Sequence, residues 1–223
     1  MCGRLAIFSP PENFTELFGV DQVIDYAPSY NIPPTLAIPA CRLDKEGHRE
    51  ILPMRWGLVP HWSKGPDSRF SMFNARAETI HEKPAFRGAF RKQRCLIPAD
   101  GFYEWSQANG KQPHFIHRRD SAPLVFAGLW EQWRGEDGES LDSCTIIVTE
   151  ANEQMQAVHD RMPVILRQRQ FNDWLDPEND QIDGLRDMLK PYAASDLEIY
   201  PVSRDVNSPK NDMAGLIERA ETA

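Results

Sequence analysis

The 223-residue sequence lacks any apolar run long enough to span a membrane, and its first residues lack the charged and apolar regions of a signal peptide. Cysteine is scarce as well. The four cysteines, Cys2, Cys41, Cys95 and Cys144, are widely spaced and form no C-x-x-C pair. This pattern excludes a disulfide framework and is typical of a reducing compartment. We therefore expect a cytoplasmic protein that has no membrane partner.

Metal-ligand spacing is also missing. Of six histidines, only His114 and His117 are close in sequence, and they fall in a strand-like run. Structural metal sites need several such ligands at matched spacing. We therefore predict neither a metal nor a cofactor.

An overall excess of positive charge is absent, since the net charge is −8. The charge is unevenly distributed, however. Residues 55–94 hold nine basic and three acidic residues, a net +6, whereas residues 130–223 hold nine basic and twenty acidic residues, a net −11. The basic middle fits a phosphate-bearing partner, and the alternative is a solvated basic face.

The N-terminus carries the most specific chemistry. A small second residue permits removal of Met1, and Cys2 would then carry an α-amine and a thiol that titrate near pH ~7.7 and ~8.5. Such a 1,2-aminothiol condenses with an aldehyde to a Schiff base and then closes to a thiazolidine. Gly3 permits close approach of the backbone, and Arg4 supplies a charge for an anionic substrate. The alternative is a frayed terminus without a role.

Five further polar residues are candidates for the same chemistry. If residues 74–79 are extended, Asn74, Arg76 and Glu78 share one face and suit a polar pocket. Glu104 lies between two aromatic residues, where partial desolvation would raise its pKa and favour proton transfer. An imidazole can act as acid or base, so His159 is a candidate for proton transfer. The alternatives are an exposed strand glutamate and a structural capping histidine.

Trp56 and Trp62 lie on either side of a glycine and a proline at the start of the basic segment, residues 55–94. Aromatic rings interleaved with Arg and Lys are what a single-stranded nucleic-acid platform needs, because bases stack on rings while phosphates pair with cations. We predict that Trp56 is buried in the core and that Trp62 is exposed.

Hydrophobic periodicity predicts a single domain of mixed strands and helices. The expected helices cover residues 10–18 with Ser9 as N-cap, 83–94, a short stretch after 150, 168–175 and 182–189. The expected strands cover residues 5–8, 36–43, 51–60, 95–99, 102–105, 112–117, 123–133, 144–149, 164–166 and 197–202. No repeat or linker divides the chain, and an acidic tail from about residue 205 is weakly patterned.

Taken in order, several segments resemble the SOS-response-associated peptidase (SRAP) family. The landmarks are residues 1–4, Tyr30-Asn31 with Pro34, residues 55–57, 74–79, 98–105 and 159–163. The resemblance spans residues 1–223. It implies a compact α+β fold with a bifurcated, barrel-like, mostly antiparallel β-sheet surrounded by helices.

The resemblance also implies a function. Family membership points to a monomeric sensor and shield of abasic sites in single-stranded DNA that crosslinks to them covalently. By resemblance, Cys2 forms the thiazolidine, Asn74 holds the cysteine and sugar, Glu104 moves protons, and His159 assists sugar opening and crosslink reversal. The implied DNA contacts are Arg4, Asn31, Pro34, Trp62, Arg76 and Arg161.

The family name further implies self-processing that removes Met1, and a minor lyase activity at abasic sites is a side branch of the same imine chemistry. A bacterial-type cytoplasmic protein of this kind would associate with the nucleoid when bound to DNA. Two rivals remain open. One is an amidotransferase-like hydrolase with an N-terminal cysteine nucleophile, and the other is a non-catalytic nucleic-acid-binding module.

Overall fold

The structure is a computed structural model that describes residues 2–22, 24–66, 72–106 and 110–220. Its helices are α1 (Pro11–Phe18), α2 (Arg87–Lys92), α3 (Phe171–Leu175) and α4 (Ile182–Asp187). Its strands are β1 (Leu5–Ile7), β2 (Ser29–Ile32), β3 (Ala37–Leu43), β4 (Arg49–Trp56), β5 (Asn74–Arg76), β6 (Arg94–Ala99), β7 (Gly101–Ser106), β8 (Gln112–Arg118), β9 (Leu124–Arg134), β10 (Ser140–Glu150), β11 (Arg161–Pro163) and β12 (Leu197–Pro201).

The strands form a closed barrel and an open sheet. In the barrel the order β10-β4-β3-β6-β9 returns to β10, because β9 and β10 also pair. The β10–β4 pair is parallel and the other four pairs are antiparallel. The open sheet has the order β12-β8-β7-β1-β2, in which every pair is antiparallel. This architecture confirms the predicted α+β class with a barrel-like, mostly antiparallel sheet.

The long strand β10 extends beyond the barrel and supports two short strands. Strand β5 pairs with it in parallel at Ile146–Val148, and β11 pairs antiparallel at Val148–Glu150. The segments that follow β5 and precede β11 therefore lie at the same end of β10, where Arg161 pairs with Glu78.

The chain passes from the barrel to the open sheet between β6 and β7. At this bend the Asp100 carboxylate accepts hydrogen bonds from the backbone N–H groups of Phe8 (2.6 Å) and Ser9 (2.8 Å), and from the Ser9 hydroxyl. Gly101 follows, where a Cβ would lie 2.3 Å from the Phe115 ring. The prediction that Ser9 caps α1 is wrong, because its hydroxyl is held by Asp100 and α1 has Pro10 at its N-cap.

Two apolar clusters flank the open sheet. The larger fills the barrel and the space under the helices and includes Trp56, Phe90 and Trp174, each fully buried. Burial of one such side chain stabilises the fold by roughly 2–3 kcal/mol. The smaller cluster lies on the outer face and includes Tyr103 and Phe115.

The segment from residue 203 onward packs against that outer face. It forms two 3₁₀ turns, Arg204–Asn207 and Ala214–Ile217, and buries Val206 and Leu216 in the smaller cluster. Its weak sequence pattern reflects this mode of packing, since single apolar residues in tight turns carry no helix or strand period.

Some predicted elements differ in extent. The helix expected at 83–94 covers only Arg87–Lys92, with turns before it, because Pro84 disfavours a longer helix. The strand expected at 164–166 is wrong in position, because the strand there is Arg161–Pro163 and Ile165 forms only an isolated bridge with Phe126. Among the described residues, no helix is long and apolar enough to cross a membrane.

Candidate functional site

The N-terminal segment is ordered alongside β7. Leu5 lies opposite Phe102, and the Tyr103 N–H donates to the Arg4 carbonyl at 3.0 Å. Continuing this antiparallel register brings Gly3 opposite Glu104. Cys2 is fully buried. The alternative of a frayed segment therefore does not hold for Cys2, whose position is set by the open sheet.

Asn74 connects the barrel side to this segment. It is the first residue of β5, and its amide nitrogen donates to the Cys2 carbonyl at 2.7 Å. Its amide oxygen is buried and accepts no hydrogen bond from the residues that the structure describes. Asn74 thus holds the backbone of Cys2 and keeps one buried acceptor atom.

Glu104 lies in β7 with only 2% of its surface exposed. Burial raises the pKa of its carboxyl, and the charge of His159 opposes this rise. Burial also raises the pKa of the Cys2 thiol well above its usual value, and the negative charge of Glu104 raises it further. The thiol and the carboxyl are therefore electrostatically coupled in a desolvated setting.

His159 approaches from the barrel side, in the loop between the 3₁₀ turn Met155–Ala157 and β11. Its Nδ1 lies 3.0 Å from the Arg161 N–H, which donates to it in the neutral ring, so that the ring proton is then on Nε2. The same Nδ1 lies 2.8 Å from a carboxylate oxygen of Asp160, which would stabilise the protonated ring. The surroundings support both protonation states, as an acid–base residue requires.

These four residues come from both sheets. Cys2 and Glu104 belong to the open sheet, while Asn74 and His159 are positioned by β5 and β11 on the barrel's long strand β10. The proposed catalytic set of the sequence analysis is thus brought together, since Asn74 bonds to Cys2 and Glu104 interacts electrostatically with both Cys2 and His159. Its chemistry combines a nucleophile, a buried carboxyl, an imidazole and an amide.

Arg4 and Asn31 are held by the protein. The Arg4 Nη1 donates to the Asn31 amide oxygen at 2.7 Å and to the Val206 carbonyl at 2.9 Å. Asn31 is only 2% exposed, and its amide nitrogen donates to three backbone carbonyls of the C-terminal segment, at Val206 (3.3 Å), Ser208 (3.0 Å) and Asn211 (2.6 Å).

The predicted contact of Asn31 with DNA stays a prediction. In this structure both polar atoms of the buried side chain bond to the protein. Asn31 fixes the C-terminal segment and orients Arg4, whose guanidinium lies 5.8 Å from the centre of the Trp105 ring.

A groove of about 530 Å³ opens beside Asn74. Its exposed walls include Trp62, Arg76 and Lys83, and Trp62 is 61% exposed. The predicted burial of Trp56 and exposure of Trp62 are both confirmed. Sequence reasoning missed Lys83 as a site residue, although its position in the basic segment was a signal.

The remaining predicted contacts are Pro34 and Arg161. Pro34 is half-buried, two residues before the exposed Leu36. Arg161 forms an ion pair with Glu78. Glu78 does not share a face with Asn74 and Arg76, because β5 ends at Arg76 and the chain turns. Within residues 2–22, 24–66, 72–106 and 110–220, no three His, Cys, Asp or Glu side chains are grouped as metal ligands.

Comparison with known proteins identifies the family. The model of the SOS response associated peptidase (SRAP) family matches residues 1–209. The chain belongs to the SRAP family. Over 223 residues it is 46% identical to the abasic site processing protein YoaM of Bacillus subtilis (strain 168), covering 98% of both chains. It is also 34% identical to the abasic site processing protein HMCES of Gallus gallus, over 84% of this chain and 65% of that protein.

Solved structures share the fold. A protein from Bacteroides thetaiotaomicron superposes with a TM-score of 0.87 at 25% identity, covering 98% of this SRAP chain and all of its own (100%). A protein from Bordetella bronchiseptica superposes with a TM-score of 0.78 at 31% identity, covering 91% and 100% of the two chains. The barrel with an open sheet is therefore shared across these proteins.

Proposed function

We propose that this SRAP protein recognises abasic sites in single-stranded DNA and captures them covalently through Cys2. The observation that carries the proposal is the junction of Cys2 with Asn74 and Glu104 in a buried cleft beside a basic groove. The relatives named abasic site processing proteins support it.

The chemistry begins once Met1 is removed. The free α-amine of Cys2 adds to the C1′ aldehyde of a ring-opened deoxyribose, and water leaves to give an imine. The thiol then adds to the imine carbon, so that a carbon–sulfur bond forms and the thiol proton passes to the nitrogen. The product is a thiazolidine. Addition of the thiol diverts the imine from β-elimination, so the strand stays intact and lyase activity is a minor branch.

Glu104 is the proton carrier in this proposal. A buried thiol with a raised pKa does not ionise readily at neutral pH. Its addition to the imine therefore needs a base within reach. A carboxyl whose pKa is raised by burial exchanges a proton more easily near neutral pH than an exposed one. Glu104 would accept the thiol proton and return it to the nitrogen.

Asn74 and His159 complete the site. Asn74 keeps the Cys2 backbone fixed, and its buried amide oxygen can accept a hydrogen bond from the amine or a sugar hydroxyl. His159 would protonate the sugar oxygen as the ring opens and assist reversal of the crosslink. The same acid–base groups would serve self-processing at Met1, which is the peptidase activity in the family name.

The groove would bind the strand without reading bases. Arg76 and Lys83 pair with phosphates, and the exposed Trp62 ring stacks on a base or wedges between bases together with Pro34. Arg4 would reach a phosphate from its place beside Trp105, and Arg161 would have to exchange Glu78 for a phosphate. Affinity should therefore fall as salt rises.

A crosslinking gel on a single-stranded oligonucleotide with one abasic site tests the proposal. We expect a denaturant-stable adduct with wild type, none with Cys2→Ala, and a wild-type adduct with the control Cys41→Ala, whose thiol is buried in the barrel core. Intact mass should show loss of Met1 and an adduct mass lower than protein plus DNA by one water.

An adduct formed by Cys2→Ala at the wild-type rate would refute the mechanism. The amidotransferase-like rival predicts glutamine hydrolysis by the same preparation. The non-catalytic rival predicts DNA binding that survives Cys2→Ala with no adduct in any variant.

A further inference from the structure

A second pocket opens on the face of the open sheet that carries Glu104 and His114. In the sheet register Glu104 lies opposite His114, and His114 lies opposite Pro201. Residues directly opposite one another share a face of the sheet. A line across this face therefore runs from Glu104 through His114 to Pro201, about 10 Å over two strand spacings.

The pocket has a volume of about 500 Å³ and an apolar floor with a polar rim. Leu197, Ile199 and Pro201 of β12 supply the floor on one side, and Val158, the neighbour of His159, supplies it on the other. The rim consists of His114, Gln154, Arg119, Glu198 and Arg219. The pocket therefore lies between the open sheet and the turn that carries Val158, next to the Glu104–His159 pair.

We propose that this pocket, here called the base pocket, receives the nucleobase of a nucleotide adjacent to the abasic site. The inference rests on the proposed function, because it places the neighbour of a sugar held at Cys2. A strand that enters through the groove beside Asn74 and reaches Cys2 would continue past Glu104 and His159. The base pocket lies next to these two residues, because His114, opposite Glu104, and Val158, the neighbour of His159, both line it.

The composition of the pocket suits a nucleobase. Its apolar walls offer surfaces for the faces of a flat ring, and flipped or splayed bases are held in such surroundings by contacts to their faces and edges. His114 Nδ1 lies 3.1 Å from the Gln112 carbonyl, and as the donor it leaves Nε2 of the neutral ring as an acceptor. Burial lowers the pKa of His114, which favours that neutral ring. The Gln154 amide adds a donor and an acceptor at the rim.

The guanidinium groups at the rim suit the DNA phosphates that would flank a base in the pocket. Arg119 is fixed by hydrogen bonds to the carbonyls of Ser195 (3.3 Å) and Leu197 (3.1 Å), so its guanidinium is already oriented before DNA binds. Arg219 is held by Glu198 at 2.9 Å and lies 4.6 Å from the centre of the Tyr200 ring. Two ordered guanidinium groups beside an apolar cavity are suited to phosphates that flank an inserted base.

The test uses two oligonucleotides that each hold one abasic site and one 2-aminopurine. The 2-aminopurine is on the 5′ side of the abasic site in the first oligonucleotide and on its 3′ side in the second. Ala157→Trp fills the pocket from an exposed position on its wall, and Gln156→Trp is the matched control, exposed but outside the lining. We expect wild type and the control to change the 2-aminopurine emission on binding in one of the two oligonucleotides. Ala157→Trp should abolish that change and lower affinity roughly tenfold, since stacking and burial of one base contribute this much or more.

The crosslinking rate separates this inference from the function on which it rests. If wild type crosslinks both oligonucleotides and Ala157→Trp leaves emission and affinity unaltered, the base pocket is refuted and the proposed function stands. If no variant crosslinks but Ala157→Trp abolishes the emission change, the pocket is supported and the proposed function fails. Unchanged emission in both oligonucleotides with wild type refutes the pocket. Thermal unfolding of Ala157→Trp within a few degrees of wild type shows that the variant is folded.

Discussion

Replacement of Glu104 by Gln should make the protein more stable and less reactive at the same time. Glu104 is 2% exposed, and burial, net of the opposing charge of His159, raises the pKa of its carboxyl above the ordinary 4.5. A raised pKa means that the folded state favours the protonated carboxyl. Ionisation at neutral pH therefore costs stability, by about 1.4 kcal/mol for each unit of upward shift.

The sign of this effect gives its pH dependence. Below the unfolded-state pKa, near 4.5, the carboxyl is protonated in both states and Gln imitates it. As pH rises through the folded-state pKa, wild type loses stability and Glu104→Gln does not. For a chain of this size each 1 kcal/mol moves the melting temperature by about 2–4 °C. We expect an advantage of a few degrees for Glu104→Gln at pH 7 that disappears near pH 4.

Thermal unfolding followed by circular dichroism between pH 4 and pH 8 measures the difference, with Glu153→Gln, an exposed carboxylate, as the control. The crosslinking rate should fall by roughly 10²–10⁴-fold, the usual contribution of a positioned acid–base group, while DNA affinity stays close to that of wild type. A variant that is less stable than wild type at pH 7, or a stability difference that does not depend on pH, would refute the burial argument. An unaltered rate would remove Glu104 from the mechanism.

Three further substitutions test the surroundings of the site. Asn31→Ala should lower the free energy of unfolding by about 2–3 kcal/mol, because three backbone carbonyls lose their donor. Trypsin should then cleave faster at Lys210 in the C-terminal segment, and cleavage at the wild-type rate would contradict this. Asn74→Ala should slow crosslinking about tenfold, since the Cys2 carbonyl loses its 2.7 Å hydrogen bond, with unchanged DNA affinity in fluorescence anisotropy; a proportional loss of affinity would instead assign Asn74 to binding. Lys83→Ala should reduce the slope of log DNA affinity against log salt concentration by about 0.7, whereas Lys45→Ala, outside the groove, should not. Equal slopes for the two variants would exclude the groove as the path of the DNA strand.

The amino-acid sequence by itself determined the local features of this protein. Alternating and continuous apolar runs predicted most strands, because burial of a strand face leaves a period in the sequence. The reactivity of a terminal Cys2 follows from its covalent structure once Met1 is removed, and the composition around Trp62 predicted an exposed ring in a basic segment. The order of the motifs along the chain predicted the family.

Only the tertiary structure decided which of these residues meet. Asn74 reaches Cys2 across 72 positions of sequence, and that contact depends on the pairing of β5 with β10 and of β1 with β7. The same holds for Asn31, which has the composition of a surface residue but is buried by carbonyls of the C-terminal segment. Hydrophobic periodicity reports which face of an element is buried, but the partner across that face is set by sheet register and packing of the whole chain.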